Sequence, residues 1–360
     1  MKKIDIITKA MTSGGTERVI AQLANYFTEQ NIICRIITTE NDEVMYSLDE
    51  KVKIVPIGRK STNKVLDRLL RYHAIRKLVV HNKPDVVLTM PEDTGIYAIL
   101  ALVGTGIPVY ASERNNPWTM PDVKITRALR KIAYPFAKGI IFQTEMAKSF
   151  FSKKIQKKGI VLQNPVDATR IPEPYIGERK KVFTSVGRLE KQKNFPLLIN
   201  AFAKFCEDVD GYELVIYGEG NERENLENLI NKLQLTGHVQ LPGRDFDVLN
   251  KINDSAAFIL SSDYEGMPNA LIEAMCMGMP VISTDCPSGG PKELITDGIN
   301  GILIPVNDLK KLVDAMKTCT KREVAEELSA EALQLKETLT SDIVFEQWHD
   351  FLLMEEKKQI

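Results

Sequence analysis

Strand-length apolar runs alternate with helix-length amphipathic stretches along nearly the whole chain, and the series breaks once and begins again. Such alternation predicts parallel sheets with helices packed on their faces. In the first series, strands are expected near Ile4–Thr8, Ile33–Thr38, Asp85–Met90, Pro108–Ala111, Gly139–Phe142 and Ile160–Leu162. Asn164-Pro165 and then Ile171-Pro172-Glu173-Pro174 with Gly177 interrupt the pattern with linker chemistry. A second series follows at Lys181–Val186, Glu213–Tyr217, Ala257–Leu260, Val281–Thr284 and Gly301–Ile304. The expected fold class is α/β: two Rossmann-like, doubly wound domains, 1–170 and 171–340, facing a central cleft, with a C-terminal helix in 341–360 packing back on the first. Open sheets of this kind bind ligands beyond the C-terminal ends of their strands.

With 44% hydrophobic and 26% charged residues, the 360-residue chain has the composition of a soluble globular protein. No apolar run approaches the ~20 residues of a membrane span. Met1-Lys2-Lys3 leads directly into a strand, without a signal-peptide pattern, so a cytoplasmic location is expected. Five scattered cysteines with no CxxC spacing indicate neither a disulfide framework nor zinc. The net charge of −1 conceals an asymmetry: 27 basic against 16 acidic residues in 1–170, and 20 against 32 in 171–360, balances of +11 and −12. A basic half suits phosphate-rich company: nucleic acid, anionic lipid, or a substrate carrying diphosphate.

Two segments of the second half carry most of the chemistry. Ser261 to Met275 follows a predicted strand, and Pro268 is expected in the first turn of a helix running through Met277. Glu265 then stands in the loop and Glu273 about a turn and a half into the helix, where both carboxylates can face one cleft. The helix N-terminus offers free N–H groups and positive partial charge to an anion. The second segment, Gly187 to Phe195, places Gly187, Arg188 and Lys193 in the first strand-to-helix loop of its half, two cations where a diphosphate could sit. In the first half, Gly14-Gly15 opens a helix near Thr16 without forming the GxGxxG fingerprint of dehydrogenases. Asp208-Val209-Asp210 and Asp245-Phe246-Asp247 read as turn and cap residues, not as a metal-binding DxD.

Together these segments resemble the family-four retaining glycosyltransferases of GT-B fold, in the bacterial capsule, exopolysaccharide and lipid-linked-oligosaccharide manner. Glu265 to Glu273 matches the Glu-x7-Glu motif, and Gly187, Arg188 and Lys193 match the diphosphate loop. Asn164-Pro165-Val166-Asp167, Tyr217-Gly218-Glu219-Gly220, Ser112 to Pro117 and Cys286 to Pro291 extend the resemblance along the chain. It implies a UDP-sugar co-substrate held by Gly14, Gly15, Arg188, Lys193, Arg244, Glu265, Met267, Asn269, Ala270, Leu271 and Glu273. It also implies sugar hydroxyls on Glu265, ribose on Glu273, diphosphate on Arg188 and Lys193, and no metal or other cofactor. Many relatives carry a histidine where this chain has Glu113, so Glu113 is expected at most to orient sugar or acceptor. None of His73, His81, His238 and His349 replaces that histidine.

The implied acceptor is a lipid-diphosphate-linked saccharide. Basic amphipathic stretches, Asn63–Lys83 (Lys64, Arg68, Arg71, Arg76, Lys77) and Lys124–Lys138 (Arg127, Arg130, Lys131), predict attachment to the anionic inner face of the membrane. They match no nucleic-acid motif. Two alternatives are a UDP-sugar epimerase of the same fold and a non-catalytic protein binding sugar nucleotide or membrane. The Glu-x7-Glu spacing argues against the epimerase, and nucleoside diphosphate released only with acceptor present separates the non-catalytic protein from a transferase.

Overall fold

The computed structural model describes residues 1–12 and 14–354, and among the described residues thirteen strands form two parallel sheets. The side chain of Lys64 and the end of the predicted C-terminal segment, 355–360, lie outside the described residues. Two units result: unit 1 is Met1–Pro165 with the chain from Asp342 onward, and unit 2 is Val166–Ser341.

In unit 1, β1 (Lys3–Thr8), β2 (Ile33–Thr38), β3 (Lys53–Pro56), β4 (Val86–Thr89), β5 (Val109–Ser112), β6 (Gly139–Phe142) and β7 (Gly159–Val161) lie in the order β3-β2-β1-β4-β5-β6-β7. In unit 2, β8 (Lys180–Val186), β9 (Glu213–Tyr217), β10 (Val239–Gly243), β11 (Ser255–Leu260), β12 (Val281–Thr284) and β13 (Ile302–Ile304) lie in the order β10-β9-β8-β11-β12-β13. Both orders reverse beside the first strand of the unit, the switch point where such sheets leave a crevice.

Central strands such as β4, β11 and β12 are buried throughout, as strands covered on both faces must be, and so they read as continuous apolar runs. The sequence reading missed β3 and β10. Both are edge strands: β3 has no buried residue, and β10 alternates buried Val239 with exposed Gln240 and carries Pro242. An edge strand need not be apolar on both faces and tolerates proline, so its signal is weak.

Helices α1 (Gly15–Glu29), α2 (Lys64–Asn82), α3 (Glu92–Leu102) and α4 (Lys124–Ala133) belong to unit 1. Ile7, Ile37, Val87, Ile96, Ala111 and Phe142 contribute to its core. Phe183, Phe202, Phe205, Ile216, Ile259 and Ile282 do the same in unit 2. The helix Ser341–Leu353 completes unit 1: Trp348 is fully buried, and Phe351 meets the Tyr110 ring edge-on, with centroids 5.3 Å apart. A Cβ on Gly139 would come 2.8 Å from both the Phe351 and Tyr110 rings, so a larger residue at this strand position would force one of those rings to shift.

Candidate active site

β8 and β11 are neighbours at the switch point of unit 2, and the two loops singled out in the sequence leave their C-terminal ends side by side. The first is fastened to the chain after β9: Gly187 N–H donates to Tyr217 O (2.9 Å) and Leu189 N–H to Glu219 O (2.9 Å). That approach requires glycine. Gly218 has φ +144°, and a Cβ there would lie 1.8 Å from Gly187 O; at Gly220 it would lie 2.3 Å from Leu189 O.

Further along, Asn194 takes a left-handed conformation (φ 45°), and its side chain caps the helix Phe195–Phe205 by accepting from Leu197 N–H. Its Nδ2 donates to Asp263 Oδ1 at 2.7 Å. Ser261 Oγ donates to Lys193 O (2.8 Å), Asp263 N–H to Gln192 O (2.9 Å) and Gln192 Nε2 to Tyr264 O (2.9 Å). Backbone-to-backbone and side-chain-to-backbone bonds thus lock the two loops in register.

The lock fixes one ion pair. Lys193 Nζ stands 2.6 Å from Glu265 Oε1, with side-chain exposures of 15% and 9%. Ser262 Oγ donates to the same oxygen at 2.7 Å, while Oε2 receives only a long 3.4 Å contact from Gln192 Nε2. That second oxygen keeps capacity to accept from hydroxyl groups, as an ionised carboxylate can. The Glu265 backbone is clamped as well: its N–H donates to Pro287 O (2.8 Å), and Ser288 donates to its carbonyl through both N–H and Oγ, each at 3.0 Å.

The neighbouring helix is Asn269–Cys276, with Pro268 at the N-cap and not in the first turn as expected. Pro268 supplies no capping side chain, and its carbonyl accepts from the N–H groups of Leu271 and Ile272, each at 3.1 Å. Glu273 is half-buried in the helix, Met267 and Leu271 are buried, and Asn269 and Ala270 are half-buried at its start. Arg188 is largely exposed and pairs with Glu190 at 3.0 Å. Arg244 follows edge strand β10, which β9 and β8 separate from β11 in the sheet, and its guanidinium lies over the exposed Phe246 ring (5.0 Å). In each DxD string one carboxylate has a lysine partner: Asp208 pairs with Lys317 and Asp245 with Lys251.

The unit 1 residues come out differently. Gly14 caps α1 in extended conformation, but its N–H already donates to Tyr46 Oη (2.8 Å), which donates back to Gly14 O (2.7 Å). Of the two amides expected to face a phosphate, that of Gly14 therefore has a partner within the protein. Glu113 is buried to 1%, holds Arg130 Nη1 at 3.2 Å from both oxygens, and accepts from Tyr134 Oη. Burial pushes its carboxyl up to about 7, against the pull of Arg130.

Arg130 corrects the sequence reading of a basic outer face. It is 3% exposed, donates also to Pro117 O and Met120 O, and lies over the Phe150 and Phe151 rings. A planar guanidinium can satisfy a carboxylate and two carbonyls at once, which a helical wheel does not reveal. Arg127 is similarly engaged with the carbonyls of Thr119, Pro121 and Asp122.

Sequence reasoning also missed a buried polar group at the C-terminal ends of β4 to β7. Arg114 Nη2 donates to Asn164 Oδ1 (2.6 Å), Gln143 Nε2 to the same oxygen (2.9 Å), and Asn115 Nδ2 to the buried Glu92 (2.8 Å). Burial lowers Arg114 to about 10. The available signal was a Glu-Arg dipeptide directly after a four-residue buried strand.

Two switch-point sheets in tandem, the second holding a clamped lysine–glutamate pair, make the two-domain Rossmann-like architecture of the GT-B fold. Residues 13–170 match the family model described as Glycosyltransferase Family 4, and residues 168–334 match the one described as Glycosyl transferases group 1. The chain belongs to this family of glycosyltransferases.

It is 31% identical over 278 residues to an uncharacterized glycosyltransferase of Methanocaldococcus jannaschii, covering 70% of this chain and 68% of the relative. It is 28% identical over 313 residues, 86% of each chain, to a Campylobacter jejuni enzyme. That enzyme is named GalNAc-alpha-(1->4)-GalNAc-alpha-(1->3)-diNAcBac-PP-undecaprenol alpha-1,4-N-acetyl-D-galactosaminyltransferase. Among solved structures, Anabaena HepE in complex with UDP and glucose superposes with a TM-score of 0.83 at 16% identity, over 97% of this chain and 99% of that one.

Proposed function

We propose that this chain is a retaining, metal-independent hexosyltransferase that moves a hexose or N-acetylhexosamine from a UDP-sugar to a lipid-diphosphate-linked saccharide in bacterial surface-glycan assembly. The observation that carries the reading is the Lys193–Glu265 pair at the β8/β11 switch point, beside the N-terminal end of the helix Asn269–Cys276. Lys193 and Arg188 bind the diphosphate, and Met267 with the first turn at Asn269, Ala270 and Leu271 lines its path. Glu265 accepts from sugar hydroxyls through its less engaged oxygen, and Glu273 from the ribose. As the C1–phosphate bond breaks, negative charge gathers on the departing UDP, where two fixed cations and a helix terminus stabilise it without a divalent metal. The departing phosphate oxygen takes the proton of the acceptor hydroxyl, and the new bond forms on the face it vacates, which retains the anomeric configuration.

UDP as the carrier is supported by the HepE complex, and a polyprenyl-diphosphate acceptor by the name of the Campylobacter relative. An acceptor of that kind would be met at the inner face of the cell membrane, to which the basic first half is suited.

The test is a donor panel: purified full chain, UDP- and GDP-sugars, membrane lipid extract and excess EDTA. Nucleoside diphosphate should be released only when acceptor is present. Turnover lost on chelation and restored by magnesium or manganese would remove the metal-independent mechanism, and no turnover with any donor would remove the transferase reading. Glu265→Ala should lower kcat, whereas Glu273→Ala should mainly raise the donor KM, because ribose contacts act alike in ground and transition states.

A further inference from the structure

Helix α4 is mounted inside out. Its inward residues are Thr126, Arg130 and Ala133, with Thr126 Oγ1 hydrogen-bonded to Tyr97 Oη (3.0 Å) and Arg130 held by Glu113. Outward stand Ile125 (68% exposed) and Ile132 (58%), continued past the helix by Phe136 (60%). The spacing of seven and then four residues keeps these three on one line. Val123, just before the helix, is 55% exposed. Exposed Lys124, Lys131 and Lys138 flank this line, and Asp122 is the one acidic residue between Arg114 and Glu145.

The patch extends sideways. Tyr97 of α3 touches both neighbours, stacking on Tyr72 of α2 (5.1 Å) and lying under Arg68 (5.0 Å) while it bonds Thr126 of α4. The first half of α2 exposes Leu66, Leu69 and Leu70. Polar groups are therefore spent inward, and large apolar side chains are left in water with lysines beside them.

We infer that this face of unit 1 inserts Ile125, Ile132 and Phe136 into the acyl boundary of an anionic bilayer while Lys124, Lys131 and Lys138 reach its headgroups. The inference rests on the membrane-borne acceptor proposed above and changes how the membrane is held: by apolar burial with lysine support, not by the arginines, several of which are engaged within the protein. An amphipathic helix lying in the interface buries its apolar face at this depth, and lysine stems suit that boundary. A second copy of the chain fits less well, because a two-fold contact would bring the same lysines against themselves. Among the described residues no helix is long and apolar enough to cross the membrane.

The test uses full-length protein and floated vesicles of phosphatidylcholine alone or with an equal part of phosphatidylglycerol. Wild type should bind the anionic vesicles and keep a measurable part of that binding in roughly 1 M salt, where charge contacts are screened beyond about 3 Å. Ile125→Asp with Phe136→Asp should lower partitioning at least about tenfold at low and high salt alike. Lys124→Glu with Lys131→Glu should lower it at low salt only. Phe136→Trp should bind like wild type and gain a blue-shifted emission quenched by brominated lipid.

Equal binding of the Asp variant and wild type, complete release of wild type by salt, or an unshifted Phe136→Trp emission on bound protein would overturn the inference. So would a wild-type dimer that Ile125→Asp turns into monomer without vesicle binding by either. Transfer to acceptor dispersed in detergent should be the same in wild type and the Asp variant, and its loss there would show that the effect does not run through the membrane. Turnover by wild type in detergent tests the transferase reading separately.

Discussion

Replacing Lys193 with methionine keeps most of the side-chain volume and removes the cation, leaving the Glu265 carboxylate in its clamp with Ser262 Oγ as its main donor. Breaking a buried pair from one side costs about 3–5 kcal/mol. The lower end, about 3 kcal/mol, applies here because 15% of the Lys193 side chain still meets solvent. Lys193→Met with Glu265→Gln removes both charges and leaves an amide that can still accept from Ser262. It should recover about 2 kcal/mol of that loss, a coupling of the size expected for residues in direct contact.

The assay must see unit 2 by itself. Both tryptophans, Trp118 and Trp348, lie in unit 1, so intrinsic fluorescence is blind to the perturbed region. A two-unit chain also gives no single free energy of unfolding. Peptide-resolved hydrogen exchange on Phe195–Phe205 and Asn269–Cys276 reads the local stability directly. A single mutant within about 0.5 kcal/mol of wild type, or a double mutant as unstable as the two singles added together, would refute the reasoning, since the pair would then contribute as little as an exposed salt bridge.

Gly218→Ala should abolish soluble unit 2 or destabilise it by more than about 3 kcal/mol, because the new methyl has no room beside Gly187 O; circular dichroism and hydrogen exchange against wild type check this. Glu113 gives a pH signature. Its folded carboxyl keeps a proton up to about 7, whereas the unfolded one releases it near 4.5, so its contribution to stability falls as pH rises through that window and is flat outside it. Glu113→Gln removes this slope, so its stability deficit relative to wild type should shrink by up to about 3 kcal/mol between pH 4.5 and 7. Urea unfolding of both proteins, followed by tryptophan fluorescence of unit 1, measures it, and a deficit that grows with pH would contradict the assignment. Arg130→Glu should destabilise unit 1 in the same assay, because it sets two carboxylates against each other in the interior.

Chain order and burial pattern determined the architecture in advance. Both series of strands were legible because central parallel strands are covered on both faces and must be apolar along their length, as β4, β11 and β12 are. Edge strands β3 and β10 escaped because an edge needs no such pattern. Glu265 and Lys193 could be singled out in the sequence because they stand in strand-to-helix loops at a switch point, where such sheets place ligands, whereas the role expected of Glu273 came from the family resemblance.

Only the tertiary structure decided what those side chains touch. Glu265 and Lys193 are 72 residues apart, and their 2.6 Å contact depends on the bonds that lock the two loops and on glycines that let a third segment approach. The same holds in unit 1. Charge and periodicity placed Arg130 on a basic surface, yet it is the buried partner of Glu113, and the outward face of α4 belongs to Ile125 and Ile132. A sequence records that a helix has two faces; which one turns inward is settled by the partners that the rest of the chain delivers to it. Here a buried carboxylate and a tyrosine hydroxyl drew the arginine and threonine in, because an unpaired polar group in the interior costs more than an apolar one left in water.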